Sequence, residues 1–117
     1  MHIEKTKVFL ALSNEVRLRC LYLLGKNEEI CVCELVDALQ ISQPSASKAL
    51  ASLKAAGLLG DRRDANWVYY QIRSDLPAWL KVMIGAVVDD LSGEKCYAAD
   101  EMRFRRLATR PRELACP

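Results

Sequence analysis

The sequence predicts one mainly helical domain that carries a single β-hairpin. Apolar residues recur with helical spacing up to about residue 57, and the pattern then changes to the short alternating runs that are typical of strands. The resulting order, α-α-α-α-β-β-α-α, is that of a winged helix-turn-helix. The chain has 117 residues, 51% of them hydrophobic, so one core is expected and dimerisation is a natural way to bury more surface.

The first two helices are predicted from apolar spacing and from one capping residue. Four apolar residues form a rough stripe over residues 3–12, namely Ile3, Val8, Phe9 and Leu12. Asn14 has the side chain of a helix N-cap, and the second helix is expected over residues 15–24, ending near Gly25.

The third and fourth helices are the predicted helix-turn-helix. Residues 32–39 form a short amphipathic helix, and Ser42 then caps a helix over residues 43–56 that Gly57 terminates. Pro44 falls in the first turn, where the missing N–H group costs nothing.

The β-hairpin follows Gly57 and is itself followed by two further helices. Strands are expected over residues 58–63 and 67–72, joined by a turn at 64–66. Trp67, Tyr69 and Ile72 are expected to pack the hairpin onto the core. Helices are then expected over residues 78–91 and about 98–107. We expect residues 1–94 to form the DNA-binding and dimerisation domain, and residues 95–117 a helical tail that need not be fully ordered.

The fourth helix has the residue types of a DNA-reading helix. Its apolar stripe is Ala46, Ala49, Leu50 and Leu53, and its candidate DNA contacts are Gln43, Ser45, Ser47, Lys48 and Ser52. Small polar side chains allow close approach to the major groove, where glutamine suits adenine and lysine suits guanine or phosphate. The alternative is an ordinary amphipathic helix with a solvated face.

The hairpin adds cations that suit the DNA backbone. Arg62 and Arg63, with Lys54 nearby, are expected to contact phosphates, which set affinity and register without reading sequence. Asp61 and Asp64 weaken the local positive potential, and a solvated turn is the alternative. The net charge of +2 excludes a strongly basic, non-specific nucleic-acid binder but not a specific one.

The composition of the chain argues against several other classes of protein. No apolar run approaches the roughly 18 residues that span a bilayer, and residues 1–7 lack the order of a secretory signal, so a cytoplasmic protein is expected. The five cysteines are odd in number and are not spaced as a disulfide scaffold. The sequence has no Gly-rich phosphate loop and no Ser/His/Asp arrangement, so an enzyme is not expected.

Cys31 and Cys33, one residue apart at the start of the third helix, are candidate ligands for a soft ion. A helix N-terminus favours thiolates, and thiolates select thiophilic ions over magnesium or calcium. In an ideal helix the two sulfurs diverge, so chelation is expected to distort the helix that supports the DNA-reading helix. The alternative is two small hydrophobic side chains.

Different roles are expected for the other three cysteines. Cys20 is expected to be a buried packing residue, whereas Cys96 and Cys116 can each supply a further thiolate. Zinc is disfavoured because His2 is the only histidine and the sequence has no Cys-x-x-Cys pair.

Together these residues resemble the ArsR/SmtB family of metal-responsive repressors, and most closely its arsenic-sensing branch. The matching segments are LSNEVR at 12–17, ICVCEL at 30–35, SQPSAS at 42–47, LKAAGLL at 53–59, and DRR and WVYY in the wing. The resemblance covers about residues 5–80. It implies a homodimer, paired through its first and last helices, that sits on two-fold operator DNA and is released by an inducer.

The resemblance also implies As(III) or Sb(III) as the inducer, bound by Cys31 and Cys33. The family's usual third cysteine is replaced here by Val36, so the third ligand is expected from Cys96 or Cys116 of either subunit, or from an outside thiol. Cadmium and lead sensors of the family pair this motif with cysteines of the partner subunit's N-terminal arm. The arm of this chain has no cysteine, so cadmium or lead sensing is the second choice. A thiol-redox or persulfide switch of the same fold is the further alternative.

Overall fold

The elements follow the predicted order, with one additional short strand. The computed structural model describes residues 3–108. Its helices are α1 (Lys5–Leu12), α2 (Glu15–Lys26), α3 (Val32–Leu39), α4 (Gln43–Ala55), α5 (Ala78–Leu91) and α6 (Lys95–Ala108). Its strands are β1 (Ile30–Cys31), β2 (Leu59–Asp64) and β3 (Trp67–Ile72). The winged helix-turn-helix prediction is therefore confirmed, with α3 and α4 as the helix pair and β2 and β3 as the wing.

The helix ends are set by the residues that the sequence indicated. The Asn14 side chain accepts a hydrogen bond from the Arg17 N–H at 3.1 Å, and Ser42 Oγ accepts one from the Ser45 N–H at 3.2 Å. Gly57 has φ of +90°, and a Cβ atom there would lie 2.8 Å from Ile3 Cδ1. A larger residue at this position would therefore be strained as well as crowded.

A three-stranded antiparallel sheet, in the order β1-β3-β2, joins the wing to the start of α3. Tyr69 of β3 is opposite Cys31 of β1 on one side and opposite Arg62 of β2 on the other. The hairpin turn is shorter than expected, because Asp64 pairs with Trp67 and only residues 65 and 66 remain unpaired. Strand β1 is not predicted from the sequence, because two residues are too few to show a strand period.

The core lies between the helices and the inner face of the sheet. All four residues of the predicted α4 stripe are buried, which confirms that face. Phe9, a member of the rough stripe on α1, is 53% exposed while Val8 and Ala11 are buried. Consecutive helical residues are about 100° apart, so a helix that buries Val8 turns Phe9 away from the core.

Helix α6 begins at Lys95, three residues earlier than expected, and packs against α2 and α3. Asp100 is fully buried and accepts two hydrogen bonds from Arg19, both 2.8 Å long, and one of 2.7 Å from Arg103. Arg103 also donates to the Ala38 carbonyl at the end of α3, at 2.6 Å. The division of the chain at residue 94 stays a prediction, but α6 shares the core of the preceding elements through Tyr97 and other buried residues.

Candidate functional site

The Cys31 and Cys33 sulfurs converge in the structure. Their Sγ atoms are 3.6 Å apart. Cys31 is the N-cap of α3, with extended backbone angles (φ −91°, ψ 163°), and only Cys33 lies inside the helix. The expectation that the two sulfurs diverge is therefore wrong, since it placed both residues on one ideal helix.

Backbone interactions on both sides hold Cys31 in this conformation. Its N–H donates a hydrogen bond of 2.9 Å to Oε1 of the buried Glu34 carboxylate, as one half of a capping box. In the sheet, Cys31 is paired with Tyr69 of β3. The cysteine pair therefore stands at the junction between the wing and the helix that supports α4, which packs against α3.

Apart from the Glu34 carboxylate, the described side chains that pack against the pair are those of Tyr69 and Trp67. The Cys31 residue is 2% exposed and packs with buried Tyr69, while Cys33 and Trp67 are half-buried against them. Cysteine sulfurs in such a setting suit a soft ligand that bonds to sulfur better than a hydrated hard cation.

The spacing of the sulfurs fits one bridging soft ion. Metal–sulfur bonds of about 2.3 Å, the zinc–thiolate value, to two sulfurs that are 3.6 Å apart meet at an angle of roughly 100° at the ion. That angle is compatible with pyramidal or tetrahedral coordination. At this separation both sulfurs reach one ion without unwinding of α3. A distortion of α3 on chelation stays a prediction.

The described part of the chain adds no third ligand beside this pair. Within residues 3–108 no group of three or more His, Cys, Asp or Glu side chains lies close enough together to hold a metal ion. Val36 occupies the following turn of α3 and is half-buried.

Cys96 lies at the other end of α3. It is exposed at the start of α6, near Arg19, whose pKa is raised mainly by Asp100 and additionally by Cys96. Arg19 donates to the Leu39 carbonyl at the C-terminal end of α3. The cysteine pair is at the N-terminal end, and the eight residues of α3 separate the two ends by about 12 Å. Cys116 lies outside the described residues. A role for either thiol as a metal ligand stays a prediction.

Cys20 is a packing residue, as predicted. It is fully buried in α2, and burial raises the pKa of its thiol to about 12. A thiol that keeps its proton at neutral pH is a poor nucleophile and a poor metal ligand.

The predicted DNA-reading residues lie along α4 outside its buried stripe, four of them in its first half and Ser52 nearer its C-terminal end. Gln43, Ser45 and Lys48 are exposed, whereas Ser47 and Ser52 are half-buried. Gln43 Nε2 donates to Ser47 Oγ at 2.9 Å, and Ser42 Oγ donates to Ser45 Oγ at 2.9 Å. These short side chains leave the backbone of α4 open to close approach by a nucleic-acid groove.

Two of the three predicted phosphate-binding cations already have acidic partners. Lys54 Nζ is 2.8 Å from an oxygen of Asp61, which was expected to weaken the positive potential of the wing. Arg62 forms a two-point ion pair with Glu29, at 2.7 and 2.9 Å, while Arg63 is exposed. The Glu29 pair was missed because the two residues are 33 positions apart and meet only when β1 joins the sheet.

Known proteins are similar to this chain in sequence and in fold. Residues 14–60, from the cap of α2 into β2, match the profile of the arsR family of bacterial regulatory proteins. Over 110 residues the chain is 39% identical to the arsenic resistance transcriptional regulator ArsR1 of Pseudomonas putida, with 93% of this chain and 84% of that protein covered. The chain belongs to the ArsR family.

Two further relatives extend this result. The arsenical resistance operon repressor of Escherichia coli is 37% identical over 101 residues, which cover 77% of this chain and 86% of that protein. The solution structure of a homodimeric winged helix-turn-helix domain from Mycobacterium bovis, a possible ArsR-family regulator, superposes with a TM-score of 0.61 at 32% identity and covers 77% of this chain and 83% of that one. The chain is thus placed among the arsenical resistance repressors, and the relatives named here are transcriptional regulators. Of the helices described, none has the length and apolar character needed to cross a membrane.

Proposed function

We propose that the protein is a metalloid-responsive repressor that binds operator DNA as a homodimer and releases it when As(III) or Sb(III) binds Cys31 and Cys33. The observation that carries this proposal is the 3.6 Å separation of the two sulfurs. They lie at the start of α3, which packs directly against the helix with the DNA-reading face. Membership of the arsenic-sensing branch supports the choice of inducer.

The DNA-binding unit would be the dimer. Two copies of α4 would enter successive major grooves of a two-fold operator, with half-sites about 10 base pairs apart. Phe9 and Leu10 of α1 and Val82 of α5 are exposed apolar residues in the single chain, and a second copy can bury them. Arg63 would contact phosphate, with Arg62 once it is released from Glu29.

The inducer would bind by replacing hydroxyl groups with thiolates. Two cysteine thiols react with arsenous acid to form two arsenic–sulfur bonds and release two molecules of water. The remaining valence would take a third thiolate, from Cys96 or Cys116 of either subunit or from an outside thiol. The bridge ties β1 to α3, and a coupling of about 1–3 kcal/mol between this site and the DNA face is sufficient for regulation.

The test measures release of operator DNA from the protein by fluorescence anisotropy. A duplex selected from a random-sequence pool as the tightest binder is labelled, and the reduced complex is titrated with arsenite, antimonite, cadmium and zinc. We expect release by arsenite or antimonite in the wild type, and retained DNA binding without release in Cys31→Ser and Cys33→Ser. Normal release by both variants would remove the cysteine pair from the mechanism. Release by cadmium alone would favour the metal-sensing alternative.

Redox sensing is the second candidate, because the same converging sulfurs are also placed to react with an oxidant or a persulfide. Mass spectrometry after mild oxidation separates the two candidates. Loss of DNA binding together with a cysteine oxidation product, and no response to arsenite, would favour redox sensing.

A further inference from the structure

Arg62, a predicted phosphate contact of the wing, is held by a carboxylate from outside the wing. Its Nε donates to Glu29 Oε2 at 2.7 Å and its Nη2 donates to Glu29 Oε1 at 2.9 Å. Its Nη1 lies 3.8 Å from Asp64. The guanidinium also lies over the Tyr69 ring, 4.6 Å from its centroid. In this state the bidentate Nε–Nη2 edge of Arg62, which suits a phosphate, is occupied by Glu29, and Asp64 lies close to the remaining edge.

The position of Glu29 connects this ion pair to the cysteine site. Glu29 immediately precedes β1, so its carboxylate is two residues from Cys31. Tyr69 lies between the two features, since it pairs with Cys31 in one direction and with Arg62 in the other. A shift of β1 relative to β3 would therefore change the cysteine geometry and the Glu29–Arg62 contact together.

We propose that Glu29 competes with a DNA phosphate for Arg62, and that inducer bound at Cys31 and Cys33 favours the Glu29 pair. This inference rests on the proposed function, because it assigns a regulatory contact to the same site. A phosphate that approaches the Nε–Nη2 edge of the Arg62 guanidinium meets the Glu29 carboxylate, so the two anions compete for that edge. The Arg62 and Glu29 side chains are 49% and 29% exposed, which leaves the pair open to such an exchange.

An ion bound at both cysteines is expected to lower the affinity for DNA. An ion that binds both cysteines fixes Cys31 against α3 and thereby holds β1 in its present pairing with β3. Glu29 then stays beside Arg62, and the wing loses one phosphate contact. Without the ion, β1 is held only by its two-residue pairing with β3 and by the Glu34 capping bond, so a phosphate displaces Glu29 from Arg62 more readily.

The experiment compares Glu29→Gln with Glu28→Gln. Each variant removes one negative charge at neighbouring positions, and Glu28 is exposed, so non-specific charge effects are matched. In the absence of any ion, Glu29→Gln should bind the operator duplex about two- to fivefold more tightly than Glu28→Gln, the range expected for exposed ion pairs. Its plot of log affinity against log salt should be steeper by about 0.9, the slope for one added phosphate contact. In an Arg62→Ala background the two variants should not differ.

The arsenite response tests the second half of the proposal. The ratio of operator dissociation constants with and without arsenite should be smaller in Glu29→Gln than in Glu28→Gln. Equal affinities and equal salt slopes would overturn the competition, and an unchanged arsenite ratio would overturn its link to the cysteines. If the wild type does not respond to arsenite, the proposed function fails, but the ion-free comparison still decides whether Glu29 competes for Arg62.

Discussion

Asp100 is expected to be one of the most sensitive polar positions for stability. Its carboxylate is fully buried and accepts hydrogen bonds from Arg19 and Arg103, whose side chains are 14% and 34% exposed. Asp100→Asn keeps the shape but removes the charge, so the Arg19 guanidinium stays largely buried without a counter-ion. Removing one partner of a buried pair costs about 3–5 kcal/mol. We expect about 3 kcal/mol here, because the amide oxygen still accepts one bond and Arg103 can turn to water.

Urea unfolding followed by circular dichroism measures this loss. With a slope of about 2 kcal/mol per molar urea, the midpoint should fall by roughly 1.5 M. Asp90→Asn on α5 is the control, since Asp90 is exposed and its variant should stay within about 0.5 kcal/mol of the wild type. Both are compared at one protein concentration, because association contributes to stability. A midpoint shift for Asp100→Asn no larger than that of the control would refute the reasoning that α6 is anchored by this ion pair.

Three further predictions concern the core and the thiols. Because burial raises the pKa of Cys20 from 9.0 to about 12, the unfolded chain loses this proton first, so the unfolding free energy should decline from pH 9 to 12. Cys20→Ala should show a shallower decline in urea titrations, and parallel curves would contradict the assignment. Iodoacetamide at pH 8 should modify exposed Cys96 in the native protein but Cys20 only after unfolding, as peptide mass spectrometry would show; equal rates would be inconsistent with the structure. Leu50→Ala, in the core shared by α3 and α4, should lower the unfolding free energy by about 2–5 kcal/mol, and a loss below about 1 kcal/mol would mean that this position is not tightly packed.

Local signals in the sequence were sufficient for most of the fold. Asn14, Ser42 and Gly57 each act within three residues of their own position, through a cap or a turn, so their effect can be derived without tertiary structure. The α4 face follows in the same way from helical spacing. The outward position of Phe9 did not follow, because an eight-residue helix offers too few turns to choose between neighbouring stripes.

The cysteines of the candidate site could be identified from the sequence, but their geometry could not, because it depends on tertiary structure. Cys31 and Cys33 stand out in the sequence, but their convergence depends on Cys31 being drawn out of the helix into β1 by pairing with Tyr69. The same strand brings Glu29 to Arg62. Both features arise from a two-residue strand whose pairing partners lie 38 and 40 positions further along the chain, and no local pattern encodes it.

The measurement that tests the central claim most directly is the arsenite affinity of the protein with and without operator DNA, in one buffer and under reducing conditions. Coupling between two binding sites is reciprocal. Operator DNA should therefore weaken arsenite binding at Cys31 and Cys33 by the same factor by which arsenite weakens operator binding, and Cys33→Ser should abolish both effects. Equal arsenite affinity on and off the DNA would contradict the account, because metalloid binding to the cysteine pair would then not control the DNA-binding state.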